Sequence, residues 1–337
     1  MIDFLLRTVL HISLRIIYSY ITKIVENEVS KKLNSIVFYC NFNNGDCHVV
    51  RNLIKYVMKT FPGLEYKLRH PNNPKILKDL HIPTYWNNYI DLNNMRLKFD
   101  YRGYYQEYGV LYFNFQALCH DRQFFKDSFT INTFYNIFAK TLWDIFKHKM
   151  PERILDFLPQ IDYSCYEIGN IKKLDMRGIN VLVCNNDPQS EQATKFDMDV
   201  LMNQIVSKYS NTTFYLTNKN KTEITGDNVR YVSDITGNIG NDLNEISYLS
   251  TKCDVIIGRY SGPHTFCYVR ETLLNQVISF ITFSPPSTLY GMNPNEWCDF
   301  GVSKLTDEHA NFYNIPDNND EIRFTKLCSI LEKIGCS

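Results

Sequence analysis

Apolar positions along the 337-residue chain follow two recurring patterns. One is a short, nearly continuous run of β-branched, aliphatic or aromatic residues. Such runs occur at IVFYCNF (36–42), GVLYFNF (109–115), 179–184 within MRGINVLVCNN, TTFYLTN (212–218), DVIIG (254–258) and VISFITF (277–283). Runs of this length without polar alternation predict strands buried on both faces. LEYKLRH (64–70) and NVRYVSDI (228–235) read as further short strands. The other pattern has a helical period. In VVRNLIKYVMKTF, positions 49, 50, 53, 54, 57, 58 and 61 are apolar, and Pro62-Gly63 stops the helix. Helices are also expected at 134–150, before Pro151, at 198–210, at 242–253 and at 263–275. Asp242 stands where an N-cap would, with Glu245 three residues on to complete a capping box. Residues 71–108 have no clear period and read as irregular.

From residue 166 onward the elements run strand, helix, strand, strand, helix, strand, helix, strand. That order implies a mostly parallel sheet with helices on its faces. The first half opens in the same way, so the expected fold class is α/β, with two Rossmann-like units facing across a cleft. The expected boundaries are 1–32, an N-terminal amphipathic helix; 33–165, a first α/β domain; and 166–337, a second. In the N-terminal stretch Arg7, His11, Arg15, Ser19, Thr22 and Glu26 share one helix face, and Phe4, Leu5, Leu6, Leu10, Ile17, Ile21 and Ile24 the other. Charges at 7, 15 and 23 argue against a spanning helix, and Asp3 argues against a secretory signal. Two readings stay open: an interfacial helix giving residues 1–28 peripheral membrane contact, or an ordinary first helix packed on the protein.

Lys plus Arg and Asp plus Glu number 36 each, so no bulk positive charge argues for a nucleic-acid partner. The ten cysteines form no C-x-x-C pair and no spacing typical of zinc. They read as reduced, buried cysteines of a cytoplasmic protein. N-x-T sequons at Asn211 and Asn220 are expected by chance in an Asn-rich chain. DMD (197–199) has the spelling of a metal-binding Asp-x-Asp but starts a helix, where acids cap and complement the dipole. No metal is expected.

Ligands of open parallel sheets bind beyond the carboxyl ends of the strands. Three polar segments stand there: Asn43-Asn44-Gly45-Asp46, Asn185-Asn186-Asp187, and Arg259-Tyr260-Ser261-Gly262-Pro263-His264. In the third, Gly262 lets backbone approach an anion, Pro263 fits a first helical turn, and Ser261 caps the helix or donates its hydroxyl. Arg259, His264 and Thr265 add donors. A plain N-cap with proline after it explains the same residues. In the first, Asp46 is a carboxylate able to take a hydroxyl proton or to cap a helix. His48 is a second base or a structural histidine. Asn44, Gly45 and Arg51 are candidate substrate contacts beside it. In the middle segment Asn186, Asp187 and Lys195 are candidate ligand contacts, with a solvated lysine the plain alternative.

DLNEISYLSTKCDVIIGRYSGPHTF resembles the C-terminal-domain signature of GT-B glycosyltransferases, above all the heptosyltransferase-like group, glycosyltransferase family 9. Leu243, Glu245, Ile246, Leu249, Cys253, Asp254 and Gly258 stand at matching positions, followed by Ser261-Gly262-Pro263. Tyr260 replaces an acidic residue of the family pattern, and Thr265 replaces a histidine, with His264 one position earlier. IVFYCNFNNGDCHVVRNLIKYVMKTFPG resembles the family's opening strand, Gly-Asp loop and helix. The likeness covers 40–60 and, more loosely, 178–283. It implies a nucleotide diphosphate sugar as donor substrate, with no cofactor, its diphosphate held at Ser261, Gly262 and Pro263 and reached by Lys195. It also implies Asp46 as base towards a glycan or lipid-linked hydroxyl acceptor, and a metal-independent, inverting transfer. Two competitors remain: a non-catalytic GT-B-like protein that binds glycan or nucleotide, and a nucleotide-sugar epimerase or phosphoribosyl-type enzyme using a similar phosphate loop. Against the epimerase, no G-x-G-x-x-G follows the first strand.

Overall fold

The computed structural model describes residues 33–40, 44–70, 74–85, 103–115, 130–187, 196–219, 223–237, 242–259, 262–284, 298–316 and 319–337. The N-terminal stretch 1–32, Lys195, Tyr260 and Ser261 lie outside them.

The first half contains β1 (Ser35–Tyr39), α1 (Asn44–Val49), α2 (Arg51–Thr60), β2 (Glu65–Arg69), a 3₁₀ segment (Pro74–Leu80), β3 (Thr84–Tyr85), β4 (Tyr104–Glu107), β5 (Val110–Asn114) and α3 (Ile131–Phe146). Two more 3₁₀ turns, Ile154–Phe157 and Tyr163–Cys165, lead to α4 (Gly169–Lys172). The second half contains β6 (Asn180–Cys184), α5 (Met198–Lys208), β7 (Thr213–Leu216), β8 (Val229–Tyr231), α6 (Val232–Thr236), α7 (Leu243–Ser250), β9 (Val255–Arg259), α8 (Gly262–Phe266), α9 (Arg270–Leu273), β10 (Ser279–Phe283), β11 (Asn311–Ile315) and α10 (Asp320–Ile334).

Two sheets result. The first has the order β3-β2-β1-β5-β4, parallel except for the β4–β5 hairpin. The second, β11-β10-β9-β6-β7-β8, is parallel throughout. Read from β8, it is the doubly wound order 3-2-1-4-5-6, and its strand order reverses between β6 and β9. β1, β6, β9 and β10 are buried at every position, which is why each reads as an unbroken apolar run. One apolar cluster runs from Phe38 and Phe113 of the first sheet through Val49 and Phe266 to Leu182, Ile256 and Phe280 of the second. The two sheets therefore share a core.

Several boundaries differ from expectation. The NNGDCH segment is not a loop before a helix, because Asn44–Val49 is itself helical and Val50 (φ −93°, ψ 1°) separates it from α2. The helix expected over 263–275 is broken. Val269 is extended (φ −111°, ψ 159°), and its N–H donates to the Thr272 hydroxyl at 3.3 Å. The stretch expected to be irregular contains 3₁₀ turns over Pro74–Leu80, kinked at Leu77, and the strand β4. The strand expected over 228–235 stops at Tyr231 and turns into α6. Asp242 occupies the N-cap position of α7 but its side chain makes no capping bond, so no capping box forms. Asp197 does cap α5, accepting from the N–H groups of Asp199 and Val200 at 3.0 and 3.2 Å. None of the described helices is long and apolar enough to cross a membrane.

Candidate active site

Both sheets aim their strand ends at one place. Past β1, the chain enters α1 with Asp46 half-buried in its first turn. Past β9, it enters α8 at Gly262, which is half-buried. The two short helices pack directly on each other. A Cβ built on Gly45 would stand 3.2 Å from Thr265 Cγ2 and 3.4 Å from Thr265 Cβ. A side chain here would press on Thr265, and the α1–α8 contact would have to give by a few tenths of an ångström. Gly262 has open space where its side chain would be, so backbone at the start of α8 is approachable. α8 has only five residues, so its dipole is small and a bound anion would depend on first-turn N–H groups.

The polar residues at the junction divide into accessible ones and structural ones. Asp46, Gly262 and Pro263 keep accessible surface, as do Asn186 and Asp187 past β6. Five of the other sequence-derived candidates are buried and engaged with the protein itself. His48 is fully buried; its ring stacks on Phe266 with centroids 4.4 Å apart, and Nε2–H donates to Tyr268 O at 3.2 Å. Burial first, and then the Arg51 charge, hold its pKa well below the ordinary value. It has no path to an acceptor and serves as a peg between the halves.

Arg51 is likewise fully buried and ion-paired with Asp79, and it donates to Ile76 O at 2.9 Å and to Asn244 Oδ1 at 3.0 Å. Asn244 belongs to α7, so this network also ties the two halves together. Burial pushes the Asp79 carboxyl up, but Arg51 and Lys55 outweigh it and hold it below its usual value. Arg51 is thus unavailable to substrate.

Arg259 is buried at the end of β9 and engaged with the segment that follows β6. It donates to Phe196 O at 2.9 Å and Asn186 O at 2.5 Å, and it lies 3.4 Å from Asp187 Oδ1. It clamps the segment after β6, whose Asn186 Oδ1 also accepts from Thr217 Oγ1 at 2.6 Å.

His264 is fully buried, packed edge-on against Tyr268 and Phe280, and burial takes its pKa down to about 3. Its ring lies against Gly258: a Cβ there would be 2.6 Å from His264 Cδ2 and 3.0 Å from Cys184 Cβ. That answers why β9 carries a glycine near its end. Thr265, the fifth, is buried against Gly45 rather than open to a ligand.

Within the matching motif, Asp254 also has a structural role, accepting from Asn180 N–H at 2.8 Å and so tying β9 to β6. Asn44 accepts from His70 Nε2 at 2.9 Å, which holds it towards the protein. A cavity of about 290 Å³ on the first sheet is lined by Ser35, Val37, Lys67, Arg69, Val110 and Tyr112.

Comparison with solved structures bears on the fold. The E. coli heptosyltransferase WaaC with ADP-2-deoxy-2-fluoro heptose superposes with a TM-score of 0.50 at 10% identity, over 89% of this chain and 99% of that one. The chain has the GT-B fold. A glycosyl transferase family 9 protein from Veillonella parvula DSM 2008 matches with a TM-score of 0.47 at 11% identity, covering 90% of this chain and 92% of that one. E. coli ADP-heptose lps heptosyltransferase II matches at 0.48 and 12%, covering 89% and 99%. No protein-family model and no curated protein sequence matches. In this GT-B chain the strand ends of the two Rossmann-like sheets meet at α1 and α8.

One convergence escaped the sequence. Cys40, Cys47 and His70 lack any familiar ligand spacing, yet their potential ligand atoms all lie within 4.8 Å of one another. The signal was topological: β1 and β2 pair in parallel with Tyr39 opposite Arg69, so the residues that follow, Cys40 and His70, are neighbours.

Proposed function

We propose that the chain is a glycosyltransferase that moves a sugar from a nucleotide diphosphate sugar to a hydroxyl of a glycan or lipid-linked acceptor. The observation that carries this reading is the contact of α1 with α8 in a GT-B fold, which puts the Asp46 helix beside the Gly262 turn. Residues 33–165 would receive the acceptor and 166–337 the donor. Asp46 takes the proton from the acceptor hydroxyl. That oxygen bonds to the anomeric carbon as the bond from that carbon to the diphosphate oxygen breaks, and the nucleoside diphosphate leaves. A single displacement of this kind inverts the anomeric centre. The backbone N–H of Gly262, with the Ser261 hydroxyl, meets the charge on the leaving group in place of a divalent ion. Asn186 and Asp187 border the donor side, and Lys195 is the proposed diphosphate contact. Arg51, Arg259, His48 and His264 have no part in the step, because their polar atoms are buried within the protein.

The test is a thermal-shift panel of ADP, UDP, GDP and CMP sugars on the full chain, followed by transfer of labelled sugar to acceptor mixtures. A donor at 100 times its Kd stabilises by about 2.7 kcal/mol. Asp46→Asn keeps that stabilisation and loses transfer by about 10²-fold or more. Silence across the panel, or an Asp46→Asn variant as active as the parent, overturns the proposal. Donor binding with no turnover in the parent supports a non-catalytic GT-B-like binder instead, and an isomerised sugar nucleotide formed without acceptor supports an epimerase.

A further inference from the structure

We propose that Cys40, Cys47 and His70 form a binding site for one thiophilic divalent ion, zinc above all, where β1, β2 and α1 meet. The site stands on geometry of its own and does not depend on the reading of the reaction. Cys40 directly follows β1 and donates its N–H to Arg69 O at 3.0 Å, holding the two strand ends in register with His70 next to it. Cys47 comes from α1, one turn beyond Asn44 on the same helix face. Three separate elements thus deliver two sulfurs and one imidazole to a single point.

The distances suit the chemistry. Tetrahedral zinc with bonds of about 2.3 Å to sulfur and 2.0 Å to nitrogen separates its ligand atoms by about 3.5–3.8 Å. Here every pair lies within 4.8 Å, so side-chain adjustments of about 1 Å close the site. All three side chains are at most 1% exposed. The set of two cysteines and one histidine is soft enough to prefer zinc over magnesium or calcium.

The histidine is also oriented as a ligand would be. With Nε2–H donating to Asn44 Oδ1 at 2.9 Å, the lone pair belongs to Nδ1, which stands 3.5 Å from Cys40 O. The Nδ1–Cys40 O separation is long for a hydrogen bond, and in this tautomer Nδ1 is the nitrogen that a metal beside Cys40 would use. Asn44 then does what outer partners of metal-bound histidines do, fixing tautomer and ring direction through the other nitrogen. Three protein ligands leave the fourth position to a small ligand such as water. A metal here would cross-link β1 and β2 to the helix that carries Asp46.

The experiment uses the full chain purified under reducing conditions. Metal content after gel filtration should be about one zinc per chain. Co(II) added to the metal-free protein should give thiolate-to-cobalt charge-transfer bands, lost in the Cys40→Ser/Cys47→Ser variant and kept in a Cys165→Ser control. Asn44→Ala should weaken zinc binding by about 10–100-fold. Because the double variant removes buried groups and could fail to fold, X-ray absorption of the zinc-loaded parent protein reads the ligands directly, with two sulfurs and one imidazole nitrogen expected. A first shell without sulfur, or bands that survive in a folded double variant, overturns the proposal. So does reduced protein that takes up no stoichiometric zinc or cobalt, including the case where Cys40 and Cys47 are found joined as a disulfide before reduction.

Discussion

Replacing Gly258 by alanine tests the packing beneath the start of α8. The added methyl would stand 2.6 Å from His264 Cδ2, 2.9 Å from His264 Cγ and 3.0 Å from Cys184 Cβ. Carbon atoms in contact prefer about 3.5–4.0 Å, so the ring must retreat by about 1 Å. It has little room, being fully buried with centroids 5.2 Å from Tyr268 and 5.9 Å from Phe280. Overpacking of this sort costs about 1–3 kcal/mol, and close contacts on both sides of the methyl favour the upper end. At about 2 °C per kcal/mol for a larger domain, Tm falls by about 6 °C. The assay is a double-mutant cycle by thermal or urea denaturation. In a His264→Ala background the ring is gone, and the Gly258→Ala increment should shrink to about 1 kcal/mol, a coupling of about 2 kcal/mol. An increment of equal size in both backgrounds, or no cost in the single variant, refutes the account of why β9 carries a glycine there.

Two further expectations concern the buried charges and imidazoles. Arg51→Leu leaves the Asp79 carboxylate buried without its main partner and should destabilise by about 3–5 kcal/mol; combining it with Asp79→Leu should restore much of the loss, as read by Tm. Stability should also fall with acid. An imidazole free in the unfolded chain titrates near 6.5, whereas burial takes His264 down to about 3 and His48 well below its ordinary value. Between these limits the unfolded chain binds more protons, so stability is full above about pH 6.5 and drains away towards pH 3. His264 alone accounts for about 2 kcal/mol by pH 5, and an unchanged urea midpoint between pH 7.5 and pH 5 contradicts this.

The parallel strands were legible because burial on both faces leaves an unbroken apolar run, as in Val255–Arg259 and Ser279–Phe283. Helix α1 was hidden because Asn-Gly-Asp carries turn chemistry, and packing on α8 overrides that local preference. β4 was hidden because its half-buried residues, YYQE, make no apolar run. At the site, the strand-end rule located the Asp46 and Gly262 segments. It did not tell which polar side chains turn inward. The partners that engage Arg51 are Asp79, 28 residues away, and Asn244, 193 residues away. Nothing local to Arg51 announces them. His264 and Arg259 mislead for a similar reason: each stands in a ligand-like turn, and each is used to build it.

The apolar cluster shared by the two sheets has a bearing on how the molecule can be divided. Severing the chain between α4 and β6 would strip Val49 and Leu53 from one fragment and Phe266 and Phe280 from the other of the neighbours that cover them. Each piece would present a raw greasy wall to water. Neither is expected to stay soluble unless those positions are made polar, and swapping one half for a homologue's would require recutting both mating surfaces together.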